Sequence, residues 1–225
     1  MPARLGVVTI GQAPRTDMVP EIRPLLGAVD VVEHGALDLL SASEIADLAP
    51  EPGAELLVSR LRDGSAVRLS HARLEPHLRQ AVLRAEADGV DATLLVCTGT
   101  FADFPRQRPL LPAERLLVHG AQAITGGLRV GVVCPEPDQA AMSVEKWLPH
   151  TGTPLVEAAT PYRAEPDQPV ADAAARLADR GAEIVVLDCM GYSASMRSAA
   201  VRAAGIPVVL ARSLVARLAA EVAQR

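Results

Sequence analysis

Short runs of aliphatic and β-branched residues alternate along the chain with longer segments whose apolar residues recur at helical spacing. This alternation is typical of the α/β class, in which parallel strands are joined by helices. The pattern predicts strands over residues 5–10, 29–33, 66–70, 92–96, 116–119, 130–134, 155–158, 183–187 and 207–210. It predicts helices over residues 20–26, 42–48, 74–88, 139–148, 170–180, 194–204 and 213–224.

Local signals mark several helix ends. Ser41 and Glu44 have the spacing of a capping box, in which each side chain accepts a hydrogen bond from the other residue's backbone. The other signals are predicted N-caps at Asp138 and Ser193 and helix-ending glycines at Gly89, Gly181 and Gly205.

A weak internal repeat links the two halves of the chain. Residues 4–9 (RLGVVT) resemble residues 129–134 (RVGVVC), and residues 89–99 (GVDATLLVCTG) resemble residues 181–191 (GAEIVVLDCMG). In the second pair an acidic residue lies six positions before a cysteine, and a glycine lies two positions after it. We interpret this as a duplication, with the additional residues of the longer first half within 35–65. The alternative is that any two strand–helix units look alike.

Composition and charge exclude several classes of function. Hydrophobic residues make up 49% of the chain, which is enough for a substantial core. The net charge of −5 argues against nucleic acid or an anionic membrane as the partner. No segment has the run of about 20 apolar residues that a membrane span needs. The chain also begins without a secretory signal, so we expect a cytoplasmic protein.

The types of reactive residue narrow the chemistry further. Lys146 is the only lysine, so a phosphate-binding P-loop or a Schiff base would have to use this one residue. Disulfides are improbable for three cysteines in a cytoplasmic chain, and no Cys-x-x-Cys or Cys/His cluster supports a zinc site, so we predict no metal. The thiols are therefore either core residues or part of the chemistry, with core packing the default for Cys134.

Two cysteines follow predicted strands at the position where α/β folds bind ligands. Cys97 and Cys189 would each lie beside free backbone N–H groups, which favour a thiolate. Two such thiols facing each other across a small carboxylate would suit stereoinversion, in which one removes the α proton and the other returns a proton to the opposite face. The predicted substrate-binding residues after the cysteines are Thr98, Gly99 and Thr100 in the first half and Met190, Gly191 and Tyr192 in the second.

The loop after the first strand supplies three more candidates. Arg15 is predicted to clamp a substrate carboxylate through two hydrogen bonds, with Gln12 and Thr9 as further polar contacts. The alternative for Arg15 is a solvent-facing side chain in a proline-containing turn. Asp188 either keeps the adjacent Cys189 protonated or points away from it.

Three segments together carry a resemblance to a known family. Residues 9–15 (TIGQAPR), 97–101 (CTGTF) and 187–192 (LDCMGY) resemble the AroM family, which is related to the aspartate/glutamate/hydantoin racemase superfamily. The resemblance implies two Rossmann-like lobes with parallel sheets, related by a pseudo-twofold, with an active-site cleft between them. It places the lobes at residues 1–113 plus 211–225 and at residues 114–210. It also implies two catalytic cysteines, at Cys97 and Cys189, and no cofactor.

The function expected from these features is a cofactor-independent racemase or epimerase acting on a small carboxylate or cyclic amide. A decarboxylase or a cis–trans isomerase would use the same thiols differently, as proton donor or as nucleophile. A non-catalytic small-molecule-binding protein on the same scaffold is the third alternative. The sequence leaves room for a homo-oligomer.

Overall fold

The computed structural model describes residues 3–223 and divides the chain into two compact units. Unit 1 contains the chain up to Glu114 together with the segment from Ala216 onward, and unit 2 contains Arg115–Val215. Within the described residues, no helix has the length and apolar character needed to cross a membrane.

Unit 1 is built on a four-stranded parallel sheet with strand order β2-β1-β5-β6. The strands of unit 1 are β1 (Ala3–Thr9), β2 (Val29–Gly35), β3 (Leu56–Arg60), β4 (Ala66–Ser70), β5 (Ala92–Leu95) and β6 (Leu110–Pro112). Its helices are α1 (Val19–Leu26), α2 (Ala42–Ala46) and α3 (His71–Ala87). Strands β3 and β4 form a separate antiparallel hairpin.

Unit 2 is built on a second four-stranded parallel sheet, with strand order β10-β9-β7-β8. Its strands are β7 (Val130–Cys134), β8 (Leu155–Ala158), β9 (Ile184–Leu187) and β10 (Val208–Leu210). Its helices are α5 (Ala140–Thr151), α6 (Asp167–Asp179) and α7 (Ala194–Ala204). The chain crosses between units within α4 (Ala113–Thr125) and again within α8 (Ala211–Ala223). The predicted α/β class with two parallel sheets is confirmed.

The two sheets repeat the same hydrogen bonds at equivalent positions. The Arg4 N–H donates to the Asp91 carboxylate at 2.9 Å, and the Arg129 N–H donates to the Glu183 carboxylate at 2.8 Å. In return, Asp91 N–H donates to the Arg4 carbonyl and Glu183 N–H to the Arg129 carbonyl, both at 2.8 Å. The acidic residue that precedes each cysteine in the sequence repeat therefore forms hydrogen bonds with the backbone at the beginning of the neighbouring strand.

The repeat glycines near the start of β1 and β7 allow a helix to pack closely on the sheet. A Cβ atom on Gly6 would lie 3.1 Å from the Ala85 Cβ of α3. A Cβ atom on Gly131 would lie 3.1 Å from the Leu177 Cβ of α6. Larger residues at either position would push the helix away from the sheet.

Most boundary signals agree with the structure. Ser41 and Glu44 form the capping box, the Ser193 hydroxyl caps α7 by accepting from the Met196 N–H, and Gly205 adopts a left-handed C-cap conformation. The predicted N-cap at Asp138 is wrong, because Pro137–Gln139 forms a 3-10 turn and Gln139 is the N-cap of α5. The last position of the predicted helix 213–224 lies outside the described residues.

The predicted strand at 116–119 is wrong, since these residues belong to α4. Ala113, Leu117 and Ala121 are buried one helical turn apart, whereas the short apolar run at 116–118 is ambiguous by itself. The edge strand β6 was not predicted, and its end at Pro112 is compatible with an edge because proline cannot donate to a ladder.

The additional residues of the first half form α2 and the β3–β4 hairpin. They connect β2 to α3, whereas the corresponding connection in the second half, between β8 and α6, contains neither element. The hairpin packs at the carboxyl edge of the first sheet. Gly11 approaches the Arg60 carbonyl so closely that a Cβ atom would lie 2.3 Å from its oxygen.

Candidate active site

Each candidate cysteine follows a central strand at the carboxyl edge of its sheet. The Val96 N–H donates to the Val8 carbonyl at 2.8 Å, and Cys97 is the next residue. The Asp188 N–H donates to the Val133 carbonyl at 2.9 Å, and Cys189 is the next residue. The two cysteines therefore lie at equivalent positions just beyond the ends of their strands, where open α/β sheets bind ligands.

The loop after each cysteine turns a backbone N–H toward the sulfur. The Gly99 N–H donates to Cys97 Sγ at 3.4 Å, and the Gly191 N–H donates to Cys189 Sγ at 3.3 Å. An N–H donor stabilises the negative charge of a thiolate. The predicted Cys-x-Gly repeat thus corresponds to the same hydrogen bond in both units.

Both glycines pack closely under a covering side chain. A Cβ atom on Gly99 would lie 2.7 Å from Leu57 Cδ2 of the β3–β4 hairpin. A Cβ atom on Gly191 would lie 2.6 Å from the Tyr162 hydroxyl and 2.9 Å from Pro161 Cγ. The equivalent glycines are therefore covered by different groups, the aliphatic side chain of Leu57 and the phenol of Tyr162.

Tyr162 is a site residue that sequence reasoning missed. Its hydroxyl lies 3.6 Å from Cys189 Sγ, within hydrogen-bond range for sulfur. The two residues are separated by 27 positions in the sequence, and no motif connects them. The only sequence signal was the scarcity of tyrosine, which occurs twice in the chain.

His71 holds the loop that follows Cys97. Its Nε2 lies 2.8 Å from the Thr100 carbonyl oxygen, and its ring stacks on Phe101 with centroids 4.7 Å apart. Thr98 is buried and Thr100 is exposed in this loop. The loop is thus fixed by the first residue of α3.

Thr9 and Arg15 are in contact, but the Arg15 guanidinium is paired with a carboxylate of the protein itself. Arg15 Nη1 donates to Thr9 Oγ1 at 2.9 Å, while Nε and Nη2 each donate to the Asp17 carboxylate at 2.8 Å. Arg15 is only 4% exposed, so the alternative of a solvent-facing side chain is excluded. The two-pronged clamp predicted for a substrate carboxylate is occupied by Asp17.

Gln12 also makes an internal contact. Its Oε1 accepts a hydrogen bond from the Arg62 backbone N–H at 2.9 Å, which ties the loop after β1 to the β3–β4 hairpin. Gln12 lines a cavity of about 510 Å³ in unit 1. The other lining residues are Leu40, Ala42, Ile45, Leu61, Arg62 and Asp63. Neither Cys97 nor its loop lines this cavity.

The loop that follows Cys189 is anchored through its carbonyl groups. Arg212 donates to the Met190 carbonyl from Nε at 3.1 Å and from Nη2 at 2.8 Å, and to the Gly191 carbonyl at 3.0 Å. Arg212 lies in the first turn of α8 and was not predicted as a site residue. Met190 is buried in the same loop.

Tyr192 is placed in the core of unit 2. Its side chain is fully buried, and its hydroxyl donates to the Ala159 carbonyl at 2.8 Å. Burial raises the pKa of Tyr192 well above its usual value, so the phenol stays neutral. Its hydroxyl therefore stabilises the segment that follows β8.

Asp188 points away from the cysteine beside it. Its Oδ2 accepts a hydrogen bond from Trp147 Nε1 at 2.7 Å and forms an ion pair with Lys146 Nζ at 2.5 Å. Both partners belong to α5, so the carboxylate is directed to the helix that packs beside β7.

Cys134, which takes the place of Thr9 in the repeat, is a buried neutral thiol. Its Sγ donates to the Glu136 carbonyl at 3.4 Å. Burial raises the pKa of Cys134 to about 11. The thiol is therefore protonated at neutral pH, as expected of a core residue. In residues 3–223 no group of three or more His, Cys, Asp or Glu side chains is arranged to hold a metal ion.

Solved structures with the same fold include racemases and a decarboxylase. An aspartate racemase from Picrophilus torridus matches with a TM-score of 0.57 and 12% identity over 99% of this chain and 95% of its own. An arylmalonate decarboxylase matches with a TM-score of 0.63 and 12% identity over 98% of this chain and 92% of its own. A glutamate racemase from Thermus thermophilus matches with a TM-score of 0.60 and 17% identity over 97% of this chain and 79% of its own. At these identities the likeness establishes the fold.

A search of curated proteins found no match to the sequence. The family model described as AroM protein matches residues 5–223, which is nearly the whole described chain. The predicted resemblance is confirmed: the chain belongs to the AroM family.

Proposed function

We propose that the protein is a cofactor-independent racemase or epimerase that transfers protons at the carbon α to a carboxylate or cyclic amide. The observation that carries this proposal is the matched pair of cysteine loops, in which a backbone N–H donates to Cys97 Sγ in unit 1 and to Cys189 Sγ in unit 2. A single buried cysteine would need no such arrangement, whereas two equivalent ones suit a reaction that runs in both directions.

In the proposed reaction, one thiolate removes the α proton and the electron pair of the C–H bond passes into an enediolate-like anion. The other thiol then donates its proton to the opposite face of the same carbon and becomes the thiolate. The products are the inverted substrate and a protein in which the two sulfurs have exchanged protonation states. Inversion of a molecule of the opposite configuration then runs in the reverse sense and restores the starting protonation states.

The difficult intermediate is the carbanion, which needs hydrogen-bond donors near the substrate carboxylate. Thr98 and Thr100, whose hydroxyls follow Cys97, are the proposed side-chain donors, with the backbone of the glycine loops as further donors. Arg15 is not assigned this task here because Asp17 holds its guanidinium.

Decarboxylation is a second candidate, since the fold is shared with an arylmalonate decarboxylase as well as with racemases. That reaction breaks a C–C bond, releases carbon dioxide and needs one thiol to protonate the resulting carbanion. The distinct surroundings of the two cysteines, with Tyr162 beside Cys189 and Leu57 covering the Cys97 loop, suit a reaction in which the thiols have different tasks.

Deuterium exchange separates the candidates. Incubation with a panel of small α-substituted carboxylates and cyclic amides in deuterium oxide should place deuterium at the α carbon of the inverted product, detected by NMR. The variants Cys97→Ser and Cys189→Ser should each lower inversion by at least about a thousandfold, the scale expected for loss of a proton-transfer group. The variant Cys134→Ser is the matched control and should keep the activity.

Three outcomes contradict the racemase proposal. Inversion that persists in both cysteine variants would exclude the thiols as acid and base. Carbon dioxide release that depends on one cysteine alone would favour decarboxylation. Ligand-induced stabilisation without turnover of any compound would favour a binding protein.

A further inference from the structure

A buried cation holds the loop that carries Cys189. Arg212 is 1% exposed, and its guanidinium makes three hydrogen bonds to the carbonyl oxygens of Met190 and Gly191. Burying a guanidinium is costly unless its donors are satisfied, and here the donors are directed to two consecutive peptide groups of one loop. The contact therefore orients those peptides.

One peptide group connects Arg212 to the sulfur. The Met190 carbonyl and the Gly191 N–H belong to the same trans peptide, so they point in opposite directions. The oxygen of this peptide faces the guanidinium, and its N–H faces Cys189 Sγ at 3.3 Å. A positive charge at the carbonyl end polarises the peptide and strengthens its N–H as a donor to an anion.

The equivalent position in unit 1 carries the opposite charge. The Pro109 carbonyl accepts from the Thr93 N–H and the Pro207 carbonyl accepts from the Val185 N–H, both at 2.9 Å, which aligns the two edge strands. The fifth residue after Pro207 is Arg212, and the fifth residue after Pro109 is Glu114. The Cys189 loop thus has an arginine where the Cys97 half has a glutamate.

Two further polar groups lie near Cys189. One favours a thiolate, and the charge of the other is neutralised. The Tyr162 hydroxyl, 3.6 Å from Cys189 Sγ, is a donor to a thiolate. The Asp188 carboxylate, which would oppose a thiolate, is paired with Lys146 and hydrogen-bonded to Trp147.

Two further titratable groups of unit 2, Cys134 and Tyr192, are neutral at neutral pH. Burial raises the pKa of Cys134 to about 11, so it remains a thiol. Burial also raises the pKa of Tyr192, which stays a phenol and donates to Ala159. Arg212 is a positive charge whose contacts reach the Cys189 sulfur through a single peptide group.

We propose that Arg212 is a positioning residue that makes Cys189 the thiolate of the pair in the resting protein, with Cys97 as the neutral thiol. The proposal deepens the proposed function and rests on it, because it decides which cysteine removes the first proton. Cys189 is the base toward the first substrate molecule, and Cys97 is the acid.

Two single-thiol proteins test this without a substrate. One carries Cys97→Ser and Cys134→Ser, which leaves Cys189, and the other carries Cys134→Ser and Cys189→Ser, which leaves Cys97. The rate of alkylation by iodoacetamide is measured for each across a pH series, since only the thiolate reacts. We expect the midpoint of the pH profile to lie at a lower pH for Cys189 than for Cys97.

Substitutions at Arg212 then test the cause. In the Cys189 protein, Arg212→Met should move the midpoint of the pH profile up by about one unit, which slows alkylation about tenfold below that midpoint. Arg212→Lys keeps a cation without the fork of donors and should give a smaller shift. Arg197→Met is the control, because the exposed Arg197 donates from Nε to the Val208 carbonyl in the same unit.

The proposal is overturned if Cys97 has the lower midpoint, or if folded Arg212→Met keeps the midpoint of the parent protein. Circular dichroism decides whether each variant is folded. If Arg212→Met does not fold, the comparison of the two single-thiol proteins and the Arg212→Lys profile still decide the outcome. Because alkylation needs no substrate, these results stand or fall separately from deuterium exchange.

Discussion

At the scale of single residues, the polar side chains considered for the site divide into those that bond to other protein groups and those that contact a cysteine sulfur. Arg15 is of the first kind, since it links Thr9 and Asp17 within unit 1. Tyr162 is of the second kind, since its hydroxyl contacts Cys189. Both are polar residues in loops, and the sequence alone does not distinguish their roles.

Replacing Arg15 should reduce stability. Arg15→Met leaves the part-buried Asp17 carboxylate without its two-pronged partner, and we expect a loss of about 3 kcal/mol in the free energy of unfolding, measured by urea denaturation. Arg62→Met is the comparison, because Arg62 is half-exposed and pairs with Asp38 at 3.2 Å, so it should cost about 1 kcal/mol or less. An Arg15 variant of unchanged stability that binds ligand more weakly would restore the clamp hypothesis.

Cys134 should resist alkylation in the folded protein. With its pKa raised to about 11, only about one thiol in a thousand is ionised at pH 8, and its side chain is 1% exposed. Mass spectrometry after iodoacetamide treatment should find Cys134 unlabelled under native conditions and labelled in urea. Rapid native labelling at Cys134 would contradict the core assignment.

At the scale of elements, the glycines of the two cysteine loops differ in what covers them. The atom nearest a Cβ on Gly99 is the end of the flexible Leu57 side chain, whereas the atoms nearest a Cβ on Gly191 belong to the Tyr162 ring and Pro161. Flexible atoms can move aside at small cost, and rigid rings cannot.

Gly191→Ala should therefore be more harmful than Gly99→Ala. We expect Gly191→Ala to lower the free energy of unfolding by about 2–3 kcal/mol and Gly99→Ala by about 1 kcal/mol, both measured by urea denaturation. Equal losses in the two variants would show that Tyr162 and Pro161 shift as easily as Leu57.

The sequence predicted the elements whose signals are local. The buried strands β1, β7 and β9 are short β-branched runs, and α7 begins at a serine cap and ends at a glycine, so pattern and turn chemistry were sufficient. The segment 116–119 was misread because three apolar residues in a row fit a strand as well as a helix.

The cysteine loops were predicted for the same reason, because the Cys-x-Gly spacing is repeated within the chain. The residues that hold these loops in place could not be predicted from the sequence. His71, Tyr162 and Arg212 reach these loops from positions distant in sequence, and a contact between distant residues leaves no trace in the periodicity of one chain. Arg15 was recognised as important, but its partner Asp17 decides its role.

At the scale of the whole molecule, the two units share strand order and the hydrogen bonds that fix it. Asp91 accepts from the Arg4 N–H of β1, and Glu183 accepts from the N–H of Arg129, the residue before β7. The same task is performed by two acids of different length, which shows that the backbone arrangement, and not one side chain, is what the units have in common.

These two acids should contribute similarly to stability. Asp91→Asn and Glu183→Gln each weaken one hydrogen bond to a backbone N–H, so each should lower the free energy of unfolding by about 1 kcal/mol in urea denaturation. The double variant should lose the sum, since the two acids lie in different units and accept from different arginines. A large effect at one position with none at the other would contradict the equivalence of the units.

The opposite charges at Glu114 and Arg212 have a consequence for how such a protein can evolve. An assembly of two identical chains must carry the same residue at both copies of a position, so any change that assists one copy is imposed on the other. Joining the copies in one polypeptide removes that constraint, and each half can then specialise. On the duplication hypothesis, the glutamate at the start of α4 and the arginine at the start of α8 are a difference that only a fused chain can carry.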